Sequence, residues 1–129
     1  MCVVIATTPN RPLTAEERRL AHWMLENGNA QAHHFVDQLE RAEVSPVRCP
    51  CGCASIDFRI QGMPEPQPGI RVLADFVFGD GYELSGIFIF ECNGILSGIE
   101  VYGFANDAPK VLPAPEMLRP ANFPPPRRD

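Results

Sequence analysis

Hydrophobic residues recur at helical spacing in the first third of the chain. Thr14 precedes this pattern and Glu17 lies three residues later, an arrangement in which each side chain binds the other residue's free backbone N–H. Leu20 and Trp23 then fall on one side of the predicted helix. Gly28 is placed to end the helix in the left-handed conformation. We therefore expect an amphipathic helix of about four turns.

A second run of apolar residues at helical spacing follows Asn29, a residue type that caps helices. The run consists of Ala32, Phe35, Val36 and Leu39. Pro46 ends the pattern because proline donates no backbone N–H and restricts the residue before it. Since the connection between the two helices is short, residues 13–44 are predicted to form an antiparallel helical hairpin.

From residue 54 the hydrophobic period changes from helical to alternating, which is typical of half-buried strands. Four strands are predicted, over residues 54–60, 70–78, 82–92 and 95–102. Asn93-Gly94 is a strong signal for a two-residue hairpin turn, and Gly79-Asp80-Gly81 is interpreted as a three-residue loop. The predicted fold class is α+β: the helical hairpin packs on one face of a four-stranded antiparallel meander within residues 54–103.

The turn lengths also predict which side chains share a face of the sheet. The Asn93-Gly94 turn pairs Cys92 with Ile95, and the three-residue loop then places Phe76 on the same face as Phe88 and Phe90. Each large apolar side chain contributes about 1.5 to 3 kcal/mol when it is buried. We therefore expect the helical hairpin to cover this aromatic face.

The opposite face is predicted to combine charged and aliphatic side chains. Its predicted members include Asp57, Arg59, Asp75, Glu91 and Glu100. Cross-strand ion pairs explain such charges on an ordinary exposed sheet, but not the aliphatic centre that accompanies them. An apolar centre with a polar rim is typical of an interface, and the predicted interface residues are Leu73, Ile87, Ile89, Leu96 and Tyr102. A protein partner, a second copy of the chain or the proline-rich tail could cover this centre.

The last 26 residues contain seven prolines, which exclude a regular helix or a central strand. Apolar residues spaced through this segment favour partial contact with the domain surface. The predicted organisation is a single domain over residues 1–107, followed by an extended proline-rich tail over residues 108–129.

Composition narrows the function classes. The chain has 129 residues, which suits one core, and its formal charge of −5 argues against binding a nucleic-acid backbone. It lacks the long apolar run of a membrane helix and a basic N-terminal leader, so we expect a cytoplasmic protein without membrane contact. No hydrolase, phosphate-binding or dinucleotide-binding motif is present. These observations favour a non-enzymatic protein without a cofactor.

The segment Cys-Pro-Cys-Gly-Cys is the one compact group of residues in the sequence that could form a chemical site. Its thiols, Cys49, Cys51 and Cys53, could bind zinc if His33 or Cys92 supplied a fourth ligand. However, structural zinc sites usually combine two separate ligand pairs, and the chain has no second pair. The favoured interpretation is structural, with small cysteines at a tight entry to the first strand. A zinc-dependent or thiol-dependent protein is the alternative.

Three short motifs, at residues 11–18 (RPLTAEER), 48–57 (RCPCGCASID) and 93–102 (NGILSGIEVY), resemble a family of small uncharacterised bacterial proteins. Those proteins pair a capped N-terminal helix with a C-x-C-G-C-x-S segment and a closing strand. The resemblance implies no activity. The last motif is also similar to strands of small bacterial immunity proteins, which are acidic and bind a toxin. The leading hypothesis is a binding or interaction protein, and an immunity-type protein is a further alternative.

Overall fold

The computed structural model describes residues 9–46 and 52–121 and confirms the α+β class. Two α-helices, α1 (Ala15–Glu26) and α2 (Val36–Leu39), lie beside a seven-stranded sheet whose paired strands are all antiparallel. The strands are β1 (Arg11–Pro12), β2 (Ala42–Val44), β3 (Ile56–Ile60), β4 (Ile70–Phe78), β5 (Ser85–Cys92), β6 (Ile95–Gly103) and β7 (Arg119–Pro120). Their order across the sheet is β1-β2-β3-β6-β5-β4-β7.

The start of α1 agrees with the prediction. Thr14 Oγ1 accepts a hydrogen bond from the Glu17 backbone N–H at 3.0 Å, and the Glu17 carboxylate accepts one from the Thr14 N–H at 2.9 Å. Arg11 also binds this carboxylate, at 2.8 Å, and its hydrogen bond holds the pKa of Glu17 below its ordinary value. The helix buries Leu20 and Met24 against the sheet. The capping box therefore fixes where the chain enters the core.

The predicted second helix is shorter than expected. Residues Ala32–Phe35 form a 3-10 turn and α2 adds one turn, after which Ala42–Val44 forms the strand β2. The prediction of a helical hairpin to residue 44 is therefore wrong at its end. Ala42 and Val44 are buried while Glu43 between them is half-buried, so this short segment satisfies the alternation of a strand and pairs with β3.

Gly28 ends α1 for a different reason from the predicted one. Gly28 does not have the positive φ angle of the predicted left-handed conformation. Instead, a Cβ at Gly28 would lie 2.5 Å from the Leu73 carbonyl oxygen and 2.8 Å from the Ala74 Cβ. Asn29 then donates its backbone N–H to Leu73 O at 2.8 Å and its side-chain amide to Val72 O at 3.1 Å. Glycine is needed here because the end of the helix touches the edge of β4.

The predicted strand order is also wrong at one position. Strands β4, β5 and β6 form a meander, but β3 pairs with β6 on its far side, with Ile56 opposite Ile99. The connection over residues 61–69 contains three prolines and crosses the sheet instead of closing a hairpin. The outer edge of β4 is occupied by β7 and by the turn at Asn29, which leaves the β6 edge for β3.

Loop length and two irregularities decide which side chains face the helices. The Asn93-Gly94 turn has φ angles of 51° and 83° and pairs Cys92 with Ile95, as predicted. However, the connection before β5 includes the 3-10 turn Gly81–Glu83, so Phe78 pairs with Ser85. Register shifts also interrupt β4 at Leu73 and β6 at Ser97. Each change of one residue reverses the alternation beyond it.

In β5, therefore, the residues that face the helices are those predicted to face away from them, and the reverse also holds. Leu73, Ile87, Ile89 and Leu96 each have 0% exposure and belong to the core beneath the helices. The prediction that these four residues form an open interface is therefore wrong. Phe88 and Phe90, which were expected under the helices, point to the other side of the sheet, where Tyr102 also lies.

The C-terminal segment belongs to the domain at least as far as residue 121. Leu118 is buried in the core, Leu112 packs against it, and Glu116 forms an ion pair with Arg19 of α1. The described part of the predicted tail thus lies on the helical side and does not cover the opposite face. Both sheet edges end in a two-residue Arg-Pro strand, β1 and β7, and proline is tolerated at such edges because it lacks an N–H for a further strand.

Candidate binding surface

The predicted cysteine site falls only partly within the structure. Cys49 and Cys51 lie outside the described residues. Cys53 is buried just before β3, and its thiol donates to the Ser55 hydroxyl at 3.3 Å. Whether the three thiols share a metal therefore stays a prediction.

Of the two predicted fourth ligands, Cys92 lies far from Cys53 along the sheet. Cys92 pairs with Ile95 at one end of β6, whereas Cys53 precedes Ile56, the partner of Ile99. These positions are about seven residues apart along the strands, or roughly 20 Å. His33 is exposed, and the centroid of its ring is 4.3 Å from that of His34. Within residues 9–46 and 52–121, no group of three His, Cys, Asp or Glu side chains is arranged to hold a metal ion.

The sheet surface turned away from α1 carries the other chemically distinctive residues, and we call it the open face. Three rows of cross-strand neighbours build it. They are Val72, Phe90, Gly98 and Asp57 in the first row, Asp75, Phe88 and Glu100 in the second, and Val77, Gly86 and Tyr102 in the third. Asp57, Asp75, Glu100 and Tyr102 share a face, as the sequence predicts.

Four aromatic rings form a continuous ridge along the open face. The ring centroids of Phe90 and Phe88 are 5.7 Å apart, those of Phe88 and Tyr102 are 6.2 Å apart, and those of Tyr102 and Phe104 are 5.4 Å apart. The interplanar angles of 50° to 60° are those of tilted, edge-to-face contacts. Phe104 at one end is 49% exposed. We call these four side chains the aromatic ridge.

Two glycines allow the ridge to lie close to the backbone. A Cβ at Gly86 would lie 2.1 Å from the Tyr102 ring, which covers this glycine directly. A Cβ at Gly98 would lie 3.1 Å from the Phe90 ring and 2.5 Å from the Ile56 carbonyl oxygen. Each glycine pairs across the strands with the residue whose ring covers it. The rings therefore form a low platform on the sheet.

Carboxylates flank this platform on both sides. Asp75 on β4 and Glu100 on β6 are the two cross-strand neighbours of Phe88, and Asp57 lies beyond Gly98 on β3. The Ser55 hydroxyl is 3.5 Å from the Glu100 carboxylate and itself accepts the Val101 N–H at 2.9 Å. Acidic groups thus lie within one strand spacing of the ridge on each side.

The electrostatic environment disfavours the ionised form of two of these carboxylates. Burial raises the pKa of Asp57 even though Arg59 lowers it. Burial also raises the pKa of Glu100, and the charge of Asp57 raises it further, while the Ser55 hydroxyl lowers it. The pKa of Tyr102 is raised by burial and by the charge of Asp75. Burial therefore outweighs the charge of Arg59 at Asp57 and the hydroxyl of Ser55 at Glu100.

A pocket of about 360 Å³ lies between the open face and the proline-rich connection at residues 61–69. Its polar lining includes Asp57, Arg59, Glu65 and Ser97, and its apolar lining includes Ile70, Phe90, Pro66 and Pro68. Arg59 donates to the Phe58 carbonyl at 2.9 Å and lies 3.9 Å from Glu65. The pocket therefore joins one end of the aromatic ridge to Asp57.

A larger groove, of about 740 Å³, lies where the turn at Asn27–Asn29 meets the outer edge of β4. Asp75 is the one charged side chain among the described residues that line it. Asn29 already binds the carbonyls of Val72 and Leu73 there. The pocket on the open face is smaller, but three of the described charged side chains line it, whereas one lines the groove.

The sequence predicts the carboxylates of this surface and Tyr102, but not its phenylalanines. The alternation places Asp57, Asp75, Glu100 and Tyr102 on one face, but the predicted loop length assigns Phe88 and Phe90 to the core. A signal was present in the glycines: Gly86 and Gly98 are the small residues that an aromatic ring needs opposite it in order to lie against a sheet.

No family model, no curated protein and no solved structure matches the chain. Within the described residues, no helix has the length and apolar composition that crossing a membrane requires.

Proposed function

We propose that this protein is a binding module whose open face holds a positively charged segment of a protein partner. The observation that supports this proposal is the aromatic ridge with carboxylates on both sides. Aromatic faces attract ammonium and guanidinium groups, and charge-assisted hydrogen bonds to carboxylates add strength and direction. A basic segment lying along the ridge would meet both kinds of group.

The charge balance favours a basic partner. The chain carries a formal net charge of −5. On the open face, Asp57, Asp75 and Glu100 are opposed by Arg59, whose guanidinium already contacts the Phe58 carbonyl and Glu65. A cation from the partner would stabilise the ionised forms of Asp57 and Glu100, which burial disfavours, whereas a neutral ligand would not. Such complementarity also accelerates association.

A second copy of this chain fits the same face less well. In a two-fold interface the same patch appears on both sides, so the three carboxylates of one copy would approach those of the other. Like charges in an interface are unfavourable. Self-association therefore remains an outcome for the test rather than the proposal.

The test is binding of a fluorescently labelled octapeptide in which arginine and glycine alternate, followed by anisotropy at low salt. We expect saturable binding, and no binding of the counterpart with glutamate in place of arginine. Glu100→Gln should weaken binding about tenfold, since a hydrogen bond to a charged group contributes roughly 1.5 to 3 kcal/mol. Phe88→Leu keeps the apolar bulk but removes the ring face, and should also weaken binding.

Glu26→Gln is the matched control, because Glu26 is an exposed carboxylate on α1, away from the open face. It should bind the arginine peptide as the native protein does. Equal binding of the glutamate peptide, or equal losses in Glu26→Gln and Glu100→Gln, would contradict the proposal. Light scattering on the same samples decides the remaining case: a dimer that Phe88→Leu dissociates would identify the open face as a self-association surface instead.

A further inference from the structure

We propose that the pocket beneath residues 61–69 takes the side chain of one arginine of the partner. This inference rests on the proposed function, because it assigns one contact within the surface that binds the basic segment. Its structural basis is a pocket that apolar side chains and the carboxylate of Asp57 line together.

The size of the pocket limits what it can hold. Its volume of about 360 Å³ is at the lower end of the range for small-ligand sites, roughly 300 to 1,000 Å³. It can therefore accept a single long side chain or a small amine. A helix or a strand of a partner would have to stay outside, on the ridge.

The lining matches the two parts of an arginine side chain. Long basic side chains bury their aliphatic stem against apolar surface and keep the charged head at a polar group. Here Ile70, Phe90 and the rings of Pro66 and Pro68 offer the apolar contact. Asp57 offers the carboxylate, and burial of this group is what makes a cationic partner favourable.

The charged groups around the pocket favour guanidinium over ammonium. Asp57 from β3 and Glu65 from the connection both line it, and so does Arg59, which has one nitrogen 3.9 Å from Glu65. Glu100 on β6 adds its charge to that of Asp57. A planar guanidinium can donate two parallel hydrogen bonds to one carboxylate, whereas an ammonium is a point charge.

The test uses N-acetyl-arginine methylamide, which presents one arginine side chain with a neutral backbone, and its lysine counterpart. Both are titrated into ¹⁵N-labelled protein. The arginine probe should shift the amide signals of Glu65, Gln67 and Ile70 while leaving that of Phe104 unchanged, and the lysine probe should bind at least several-fold more weakly. Asp57→Asn should reduce the affinity for the arginine probe about tenfold, whereas Glu26→Gln, at an exposed carboxylate of α1 outside the open face, should leave it unchanged.

The outcomes separate this inference from the proposed function. If the arginine octapeptide binds but the single-residue probe leaves the pocket signals unshifted, the pocket assignment is wrong and the ridge proposal stands. If both probes shift the pocket equally, the selectivity for guanidinium is wrong. If neither the octapeptide nor the probes bind, the proposed function itself fails. A circular dichroism spectrum of Asp57→Asn that matches the native spectrum excludes loss of fold as the cause.

Discussion

Replacing Ile87 by glutamate is expected to unfold the protein at neutral pH. Ile87 has no exposed surface and lies in the centre of β5 beneath the helices, opposite Phe76 and Val101. The change removes a buried aliphatic side chain and puts an unpaired carboxylate in the core, which costs about 4 kcal/mol or more. That is a large fraction of the stability of a typical domain, roughly 5 to 15 kcal/mol. Circular dichroism and urea denaturation measure the effect.

Ile70→Glu is the matched control, since Ile70 is the same residue type with 60% of its surface exposed at the start of β4. We expect its free energy of unfolding to stay within about 0.5 kcal/mol of the native value. A folded Ile87→Glu variant with native stability would show that this side chain faces water. The register described for β5 would then be wrong.

Gly28→Val should also destabilise the protein, by about 3 kcal/mol. Any Cβ at this position meets a backbone oxygen at 2.5 Å and the Cβ atoms of Ala32 and Ala74 at 2.7 and 2.8 Å. None of these atoms is the end of a flexible side chain, so the helix must move away from β4 and the hydrogen bonds of Asn29 to the strand lengthen. Overpacking of this kind typically costs about 1 to 3 kcal/mol. Thermal melts of the purified variant give the size of the loss.

Ala30→Val tests whether the effect is specific to the contact. Ala30 is exposed in the same turn, so adding two methyl groups there should change the melting temperature little. Equal melting temperatures for Gly28→Val and the native protein would mean that the end of α1 does not approach the bulge in β4.

The sequence predicts the elements of this fold better than their arrangement. The capping box at Thr14 and the Asn93-Gly94 turn are local devices, and both are confirmed because their hydrogen bonds join residues close in sequence. The neighbour of β3 depends on which edge of the meander is free. The β4 edge is occupied by β7 and Asn29, so the β6 edge is free. Both of these lie far from β3 in the sequence.

The candidate site was predicted in part for a related reason. Within one strand, alternation reliably separates Asp57 from Phe58, and Glu100 from Ile99. Between strands, one extra residue in a loop or a bulge exchanges the faces. The turn before β5 is longer than Gly79-Asp80-Gly81 suggests, so the rings of Phe88 and Phe90 moved to the side of the carboxylates and Ile87 moved into the core. Burial of the aliphatic residues on the helical side agrees with this exchange.

The central claim is that the open face holds carboxylates for a cationic ligand at a cost in stability. The direct measurement is the free energy of unfolding of Asp57→Asn against pH. Because the folded state raises the pKa of Asp57 and of its neighbour Glu100, their ionisation opposes folding above the folded pKa, and this cost disappears as the pH falls below the ordinary carboxylate value of about 4. Asp57→Asn should therefore be more stable than the native protein at pH 7, and this difference should close on acidification. Glu26→Gln, at an exposed carboxylate of α1, should stay within about 0.5 kcal/mol of the native protein at pH 7. An Asp57→Asn variant that is less stable than the native protein at pH 7 would contradict the account.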